Sequence, residues 1–250
     1  MMDEDAVAVI HDWRQGKRVY RRMETLRAHT HRASARMPGR ILPRLIPAVG
    51  MAMALVAGGL WSGTIRHDPS PAFLARWGYD LDMLRAGRLH TLATMALFPT
   101  AHGDWLPMLV ETVLLVALAG WCAGPWRAVA AFWLPNIAGT ALVSLCVVWP
   151  LDARGYRFAH GWATEPDSGA SVGIYGALGF LLARLPRPLR WVAVGGMAAW
   201  LVLDSVRERH VWNIEHLGGY ALGVPLGTYA ESREKRAGLK CSFAGRAHRR

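Results

Sequence analysis

Two residues of this chain have the types that nucleophilic catalysis needs, and they sit in matching settings. Ser171 lies in Gly169-Ala170-Ser171-Val172-Gly173-Ile174-Tyr175-Gly176, and His216 opens His216-Leu217-Gly218-Gly219-Tyr220-Ala221-Leu222-Gly223. Each stands at the start of an apolar run. A serine hydroxyl is a weak nucleophile until a base within hydrogen-bond reach takes its proton. An imidazole is the usual base near neutral pH. Acyl transfer also needs donors for the oxyanion, often including the nucleophile's own backbone N–H. Tyr175, one helical turn beyond Ser171, is in register to stack on the His216 ring. Taken singly, a serine in a membrane helix bonds back to its own helix, and a histidine serves packing or joins helices. The pair carries the chemical reading jointly.

The elements that would position this pair are membrane helices. The chain has 250 residues, 52% of them hydrophobic and 19% charged, against about 25% charged in a soluble domain. Its twelve Trp suit a chain that places indoles at the water–lipid boundary. About 20 apolar residues cross a bilayer, and six stretches qualify: about 42–61, 105–124, 127–149, 169–185, 188–204 and 211–230. The fold expected is all-α, a six-transmembrane-helix polytopic bundle. A basic segment over 1–41 and a basic tail over 231–250 flank the membrane domain 42–230.

Charge sets the orientation. With six spans both termini share one side. That side collects twenty-one basic and seven acidic residues, and the other eight basic and ten acidic. The net split of +14 against −2 predicts both termini on the cytoplasmic face of the cell membrane. The first apolar run begins about 40 residues in, so it reads as a retained anchor rather than a cleaved leader. The loop 62–104 is long enough to need structure of its own. Short interfacial helices are expected there, or a re-entrant segment over 89–104.

In this topology spans four and six run in the same direction and bring Ser171 and His216 to similar depth, near the outer leaflet. Gly169, Gly173 and Gly176 form one small-residue stripe; Gly219, Gly223 and Gly227 continue another from His216 at helical spacing. Such stripes let helix backbones approach closely.

These residues resemble the rhomboid family of intramembrane serine proteases. The resemblance rests on Gly169-Ala170-Ser171 followed by Tyr175 and Gly179, and on His216 followed by Gly219 and Gly223. It covers 42–230 and implies a Ser171–His216 dyad, a supporting Tyr175, no cofactor, and a single-span transmembrane protein as substrate, cleaved near the outer leaflet. There are departures. Val172 follows the serine where the family usually has glycine. In span two Pro107 and Glu111 stand where the family has a His and an Asn directed at the oxyanion. Proline has no donor, and a glutamate donates only when protonated. His102, five residues earlier, is the other candidate for that role. Two further readings stay open: a rhomboid-like protein that binds membrane clients without cutting them, and a small transporter using Glu111 and His216 as proton-linked groups.

Other polar residues have simpler expected roles. Asn136 in span three is expected to join helices. Glu111 is expected to serve the site or to meet water or Arg88. Asn213 and Glu215 are placed in an exposed loop. Cys122, Cys146 and Cys241 lack the spacing of metal ligands or a disulfide framework. The remaining histidines do not resemble a metal site. The basic tails are expected to hold anionic lipid at the inner surface, and no nucleic-acid partner is expected.

Overall fold

The computed structural model describes residues 38–237. Residues 1–37 and 238–250, the greater part of the two basic tails, therefore lie outside the described residues. The chain divides into two units at Pro43 and Arg44. Of the first, only the opening of helix α1 is described. Among the described residues the structure is all-helical, with one isolated antiparallel bridge between Tyr79 and Asp167.

Among the described residues, four helices are long and apolar enough to cross a membrane. They are α1 (Pro38–Ser62), α5 (Trp105–Ala123), α6 (Pro125–Asp152) and α9 (Arg187–Glu208). Their outward faces are apolar. On α5, Leu106, Val110, Leu114 and Leu118 are exposed at successive i+4 positions, a stripe that water would not tolerate and lipid would. On α9 only Leu201 is buried, while Trp191, Val192, Leu203 and Val206 face outward. The loop 62–104 contains the short helices α2 (Pro71–Trp77), α3 (Leu81–Arg85) and α4 (Thr91–Thr94). Ser70 and Asp80 cap the first two, accepting from Phe73 N and Met83 N. The stretch 89–104 is no single re-entrant helix. Leu92, Met95, Ala96 and Phe98 instead bury their side chains in protein. A further short helix, α7 (Arg157–Thr164), follows α6.

The expected fourth and sixth spans differ from the other four. Helix α8 (Ser171–Leu182) has 12 residues, a rise of about 18 Å against a hydrocarbon core of about 30 Å. Most of it is buried, including Gly173, Gly176, Gly179 and Phe180. Helix α10 (Val211–Arg236) has 26 residues, long enough to cross. Asn213, Glu215 and His216 near its start and five charged residues from Glu231 to Arg236 keep it from being uniformly apolar.

Helices α8 and α10 are in step. A Cβ on Gly219 would strike the carbonyl oxygen of Val172, one on Gly223 that of Gly176, and one on Gly227 that of Phe180. The constant offset means that the two helices run parallel in backbone contact over two turns. On its other side α8 meets α6, where a Cβ on Gly173 would stand 2.7 Å from the Phe132 ring. Helix α6 is not regular there. Pro135 deprives it of an amide donor, and the chain widens to π-helical turns over Pro135–Gly139 and Ser144–Val148.

The far end of α8 is held by charge. Arg184 Nη2 donates to Glu234 Oε2 at 2.7 Å and to the Cys122 carbonyl at 3.2 Å, while Arg127 pairs with the other Glu234 oxygen. Arg190 donates to Glu231 at 2.6 Å. This gathers the α5–α6 turn, the α8–α9 turn and the end of α10. Arg184 and Glu234 have side chains only 4% and 6% exposed. Removing one member of a buried pair strands the other's charge. Glu234→Ala is expected to destabilise the fold by about 3 kcal/mol, seen as a lowered thermal midpoint in detergent, with Arg127→Ala milder because that side chain is 40% exposed.

Candidate active site

Ser171 is the first residue of α8, and the approach to it is built from the loop 165–170. The Tyr79–Asp167 bridge pins that loop, with Tyr79 N donating to Asp167 O at 2.8 Å and Asp167 N to Tyr79 O at 2.7 Å. Gly169 then turns at φ +147°, a conformation that side chains rarely adopt, and donates to Met95 O at 2.9 Å.

A helix start leaves its first amides without intrahelical acceptors. Here the Ala170 amide faces Met108 Sδ at 3.3 Å, and Gly173 N donates to Asn136 Oδ1 at 3.2 Å. Asn136 Nδ2 donates in turn to Leu92 O at 3.2 Å. Asn136 thus joins α6 to both α4 and α8, as its position in an apolar span predicts, and the π-helical turn aims it. Among the described residues the Ser171 and Val172 amides find no backbone acceptor. They are adjacent N–H groups at the positive end of a helix, beside the Ser171 hydroxyl.

Ser171 and His216 line one cavity of about 460 Å³. Glu111, Met108, Asp167 and Ser168 also line it. The offset between α8 and α10 puts His216 level with Gly169, two residues ahead of Ser171. His216 Nε2 is buried and has no hydrogen-bond partner, so no bond joins it to Ser171 Oγ. The Tyr175 and His216 rings lie 4.5 Å apart, 33° from parallel. Tyr175 therefore supports the imidazole from one turn further along α8, the place its register predicts.

The span-two candidates part company. Glu111 lines the cavity. His102 does not. Its Nδ1 lies 2.7 Å from the Thr64 carbonyl and its amide donates to Asp68 Oδ1 at 2.7 Å, which ties the start of α5 to the end of α1. A side chain committed to a loop carbonyl is not an oxyanion donor in this geometry. Arg88 does not meet Glu111 either, because its guanidinium donates to the Ala75 and Arg76 carbonyls. Asn213 and Glu215 are not in an exposed loop: they are 3% and 2% exposed, because α10 begins at Val211 and turns both inward. Asn213 Nδ2 donates to Asp204 O at 3.3 Å. Glu215 Oε2 is buried without a partner.

Asp167, Ser168 and Trp212 were not foreseen at the cavity. Asp167 and Ser168 lie in a loop with no periodic pattern, and Trp212 is the second residue of α10, where its spacing alone does not say which helix it faces. Burial pushes the Asp167 carboxyl up to about 6, with repulsion from Glu165 adding to it. The sign follows from linkage. An acid whose folded-state value is raised binds its proton more tightly when folded, so stability falls as pH rises from about 3.8 through 6. Asp167→Asn is expected to raise the thermal midpoint at pH 8 and to leave it unchanged at pH 3. A midpoint at pH 8 equal to that of the unaltered chain would contradict the assignment.

Compared with known proteins, the chain matches no family model, no curated protein and no solved structure.

Proposed function

We propose that the chain is a rhomboid-type intramembrane serine protease: a six-span bundle of α1, α5, α6, α8, α9 and α10 with both termini cytoplasmic. It cleaves single-span membrane proteins near the outer leaflet. One observation carries the reading. A serine at the start of a buried helix and a histidine on the parallel neighbouring helix line the same cavity, with an aromatic ring stacked on the imidazole. The short α8 adds support, since a helix too short to cross alone leaves room above Ser171 for water and an unwound substrate strand.

The chemistry would use Ser171, His216 and the helix-start amides. Ser171 Oγ attacks the scissile carbonyl while His216 Nε2 accepts its proton. The carbonyl oxygen gains negative charge and faces the Ser171 and Val172 amides. His216 then protonates the leaving amine, and water, activated by the same nitrogen, hydrolyses the acyl-serine. These helix-start amides supply donors that Pro107 and Glu111 do not. Apo sites often hold the nucleophile and base apart, so the unmade Ser171–His216 bond is expected to form when substrate binds.

A second reading draws on that same unmade bond and on Glu111 facing the site: a rhomboid-like protein that binds membrane clients without cutting them. A fluorophosphonate probe separates the two. Covalent labelling of the full chain in lipid, lost in Ser171→Ala, supports the protease. A folded chain that stays unlabelled at high probe concentration supports the client binder and sinks the hydrolytic reading.

A further inference from the structure

The cavity wall has one sign of charge. Asp104, Glu111 and Asp167 all line it, and no Lys or Arg does. Asp104, the residue before α5, and Met108 and Glu111 on α5 follow one another at i, i+4 and i+7, and both carboxylate residues are exposed. Asp167 enters from the loop before Ser171 and is partly buried. Among the described residues no Lys or Arg pairs with any of the three; the ion pairs formed join other groups. A carboxylate on a membrane-crossing helix is costly unless a partner meets it.

A second observation points to a missing donor. Ser168 also lines the cavity, is 7% exposed, and its Oγ has no hydrogen-bond partner. Asp167 Oδ1 already accepts from Ser168 N at 2.7 Å, but the wall offers further acceptors and, among the described residues, no cationic side chain to meet them. A metal ion does not fit, because among the described residues no three His, Cys, Asp or Glu side chains are grouped to hold one. A lysine ammonium carries three donors and an arginine guanidinium five. Met108, Ile174 and Trp212 in the same wall suit the aliphatic stem that either charge rides on.

We propose that this cavity receives a lysine or arginine side chain of the membrane-protein segment that occupies it, with Glu111 and Asp104 meeting the charge at the mouth and Asp167 and Ser168 receiving donors further in. The identity of the occupant rests on reading the cavity as the substrate site beside Ser171. The charge preference itself does not depend on cleavage. It makes Glu111 a specificity residue and gives the departure from an amide at that position a positive role.

The test is binding to the full-length Ser171→Ala chain in lipid nanodiscs. The probes are fluorescent single-span peptides in which one Arg is stepped through the outer third of the span, each compared with Gln at the same position. At one or two positions the Arg peptide is expected to bind about tenfold more tightly than its Gln twin. Glu111→Gln removes most of that advantage and leaves the Gln peptide unchanged. Asp104→Asn, at an exposed position, gives a smaller loss in the same direction and serves if the Glu111 variant fails to fold. Equal binding of Arg and Gln peptides at every position overturns the proposal, as does a Glu111→Gln loss shared equally by both. A chain that discriminates Arg but never reacts with fluorophosphonate keeps this inference and loses the protease. A chain that reacts but does not discriminate does the reverse.

Discussion

Ser171→Ala is expected to abolish cleavage of a single-span reporter, and His216→Ala to cost nearly as much, on the order of 10⁴-fold or more in kcat. In the proposed mechanism the two residues act as one unit. Without the base, the hydroxyl keeps its proton; without the hydroxyl, the base has nothing to activate. The double variant is therefore expected to be no worse than Ser171→Ala, within a factor of about 10. Single-turnover cleavage in proteoliposomes measures all three. Losses that multiply, or a His216→Ala chain cleaving at an undiminished rate, would overturn the dyad. Tyr175→Leu is expected to fall between, because stacking at 4.5 Å holds the imidazole without moving a proton.

Gly223→Val carries the second large effect, on the fold itself. Even the first carbon of a side chain there meets the Gly176 carbonyl, which is backbone and cannot swing aside. The neighbouring contacts at Gly219 and Gly227 are of the same kind, so relief requires α8 and α10 to separate along their whole shared length. Overpacking of this sort costs about 3 kcal/mol, and separation also carries His216 away from Ser171. Thermal unfolding followed through the tryptophans should show a strongly lowered midpoint, with loss of cleavage at temperatures where the chain is still helical. Gly195→Val is the control. A Cβ at Gly195 on α9 meets nothing within 4 Å, and that variant should keep both stability and activity. Equal tolerance at the two positions would show that the glycine contact does not hold the helices together.

Much of the architecture was legible because apolar length and spacing are local properties. The stretches 42–61, 105–124, 127–149, 188–204 and 211–230 correspond to helices Pro38–Ser62, Trp105–Ala123, Pro125–Asp152, Arg187–Glu208 and Val211–Arg236. The glycine face of α10 was legible for the same reason: residues four apart share a side of any helix. Asn136 was legible because an amide in an apolar helix must find a partner. The fourth stretch also forms a helix, Ser171–Leu182, but one too short to cross alone. Its apolarity serves burial in protein as well as it serves lipid, and composition does not separate the two for a short run.

The polar residues near the site divide along the same line. The sequence by itself determined that Ser171 opens one apolar helix with Tyr175 a turn further on, and that His216 stands near the start of another above a glycine face, because those relations span only a few residues on one helix each. Only the tertiary structure decided which other groups join them. It ties His102 to Thr64 and Asp68, turns Glu215 and Asn213 inward, and brings Asp104, Glu111, Asp167 and Ser168 to the cavity that Ser171 and His216 share. Those residues come from a helix in the middle of the chain and from a loop pinned by Tyr79. Their meeting depends on which helices pack together and at what offset, a property of surfaces in contact that no stretch of sequence carries alone.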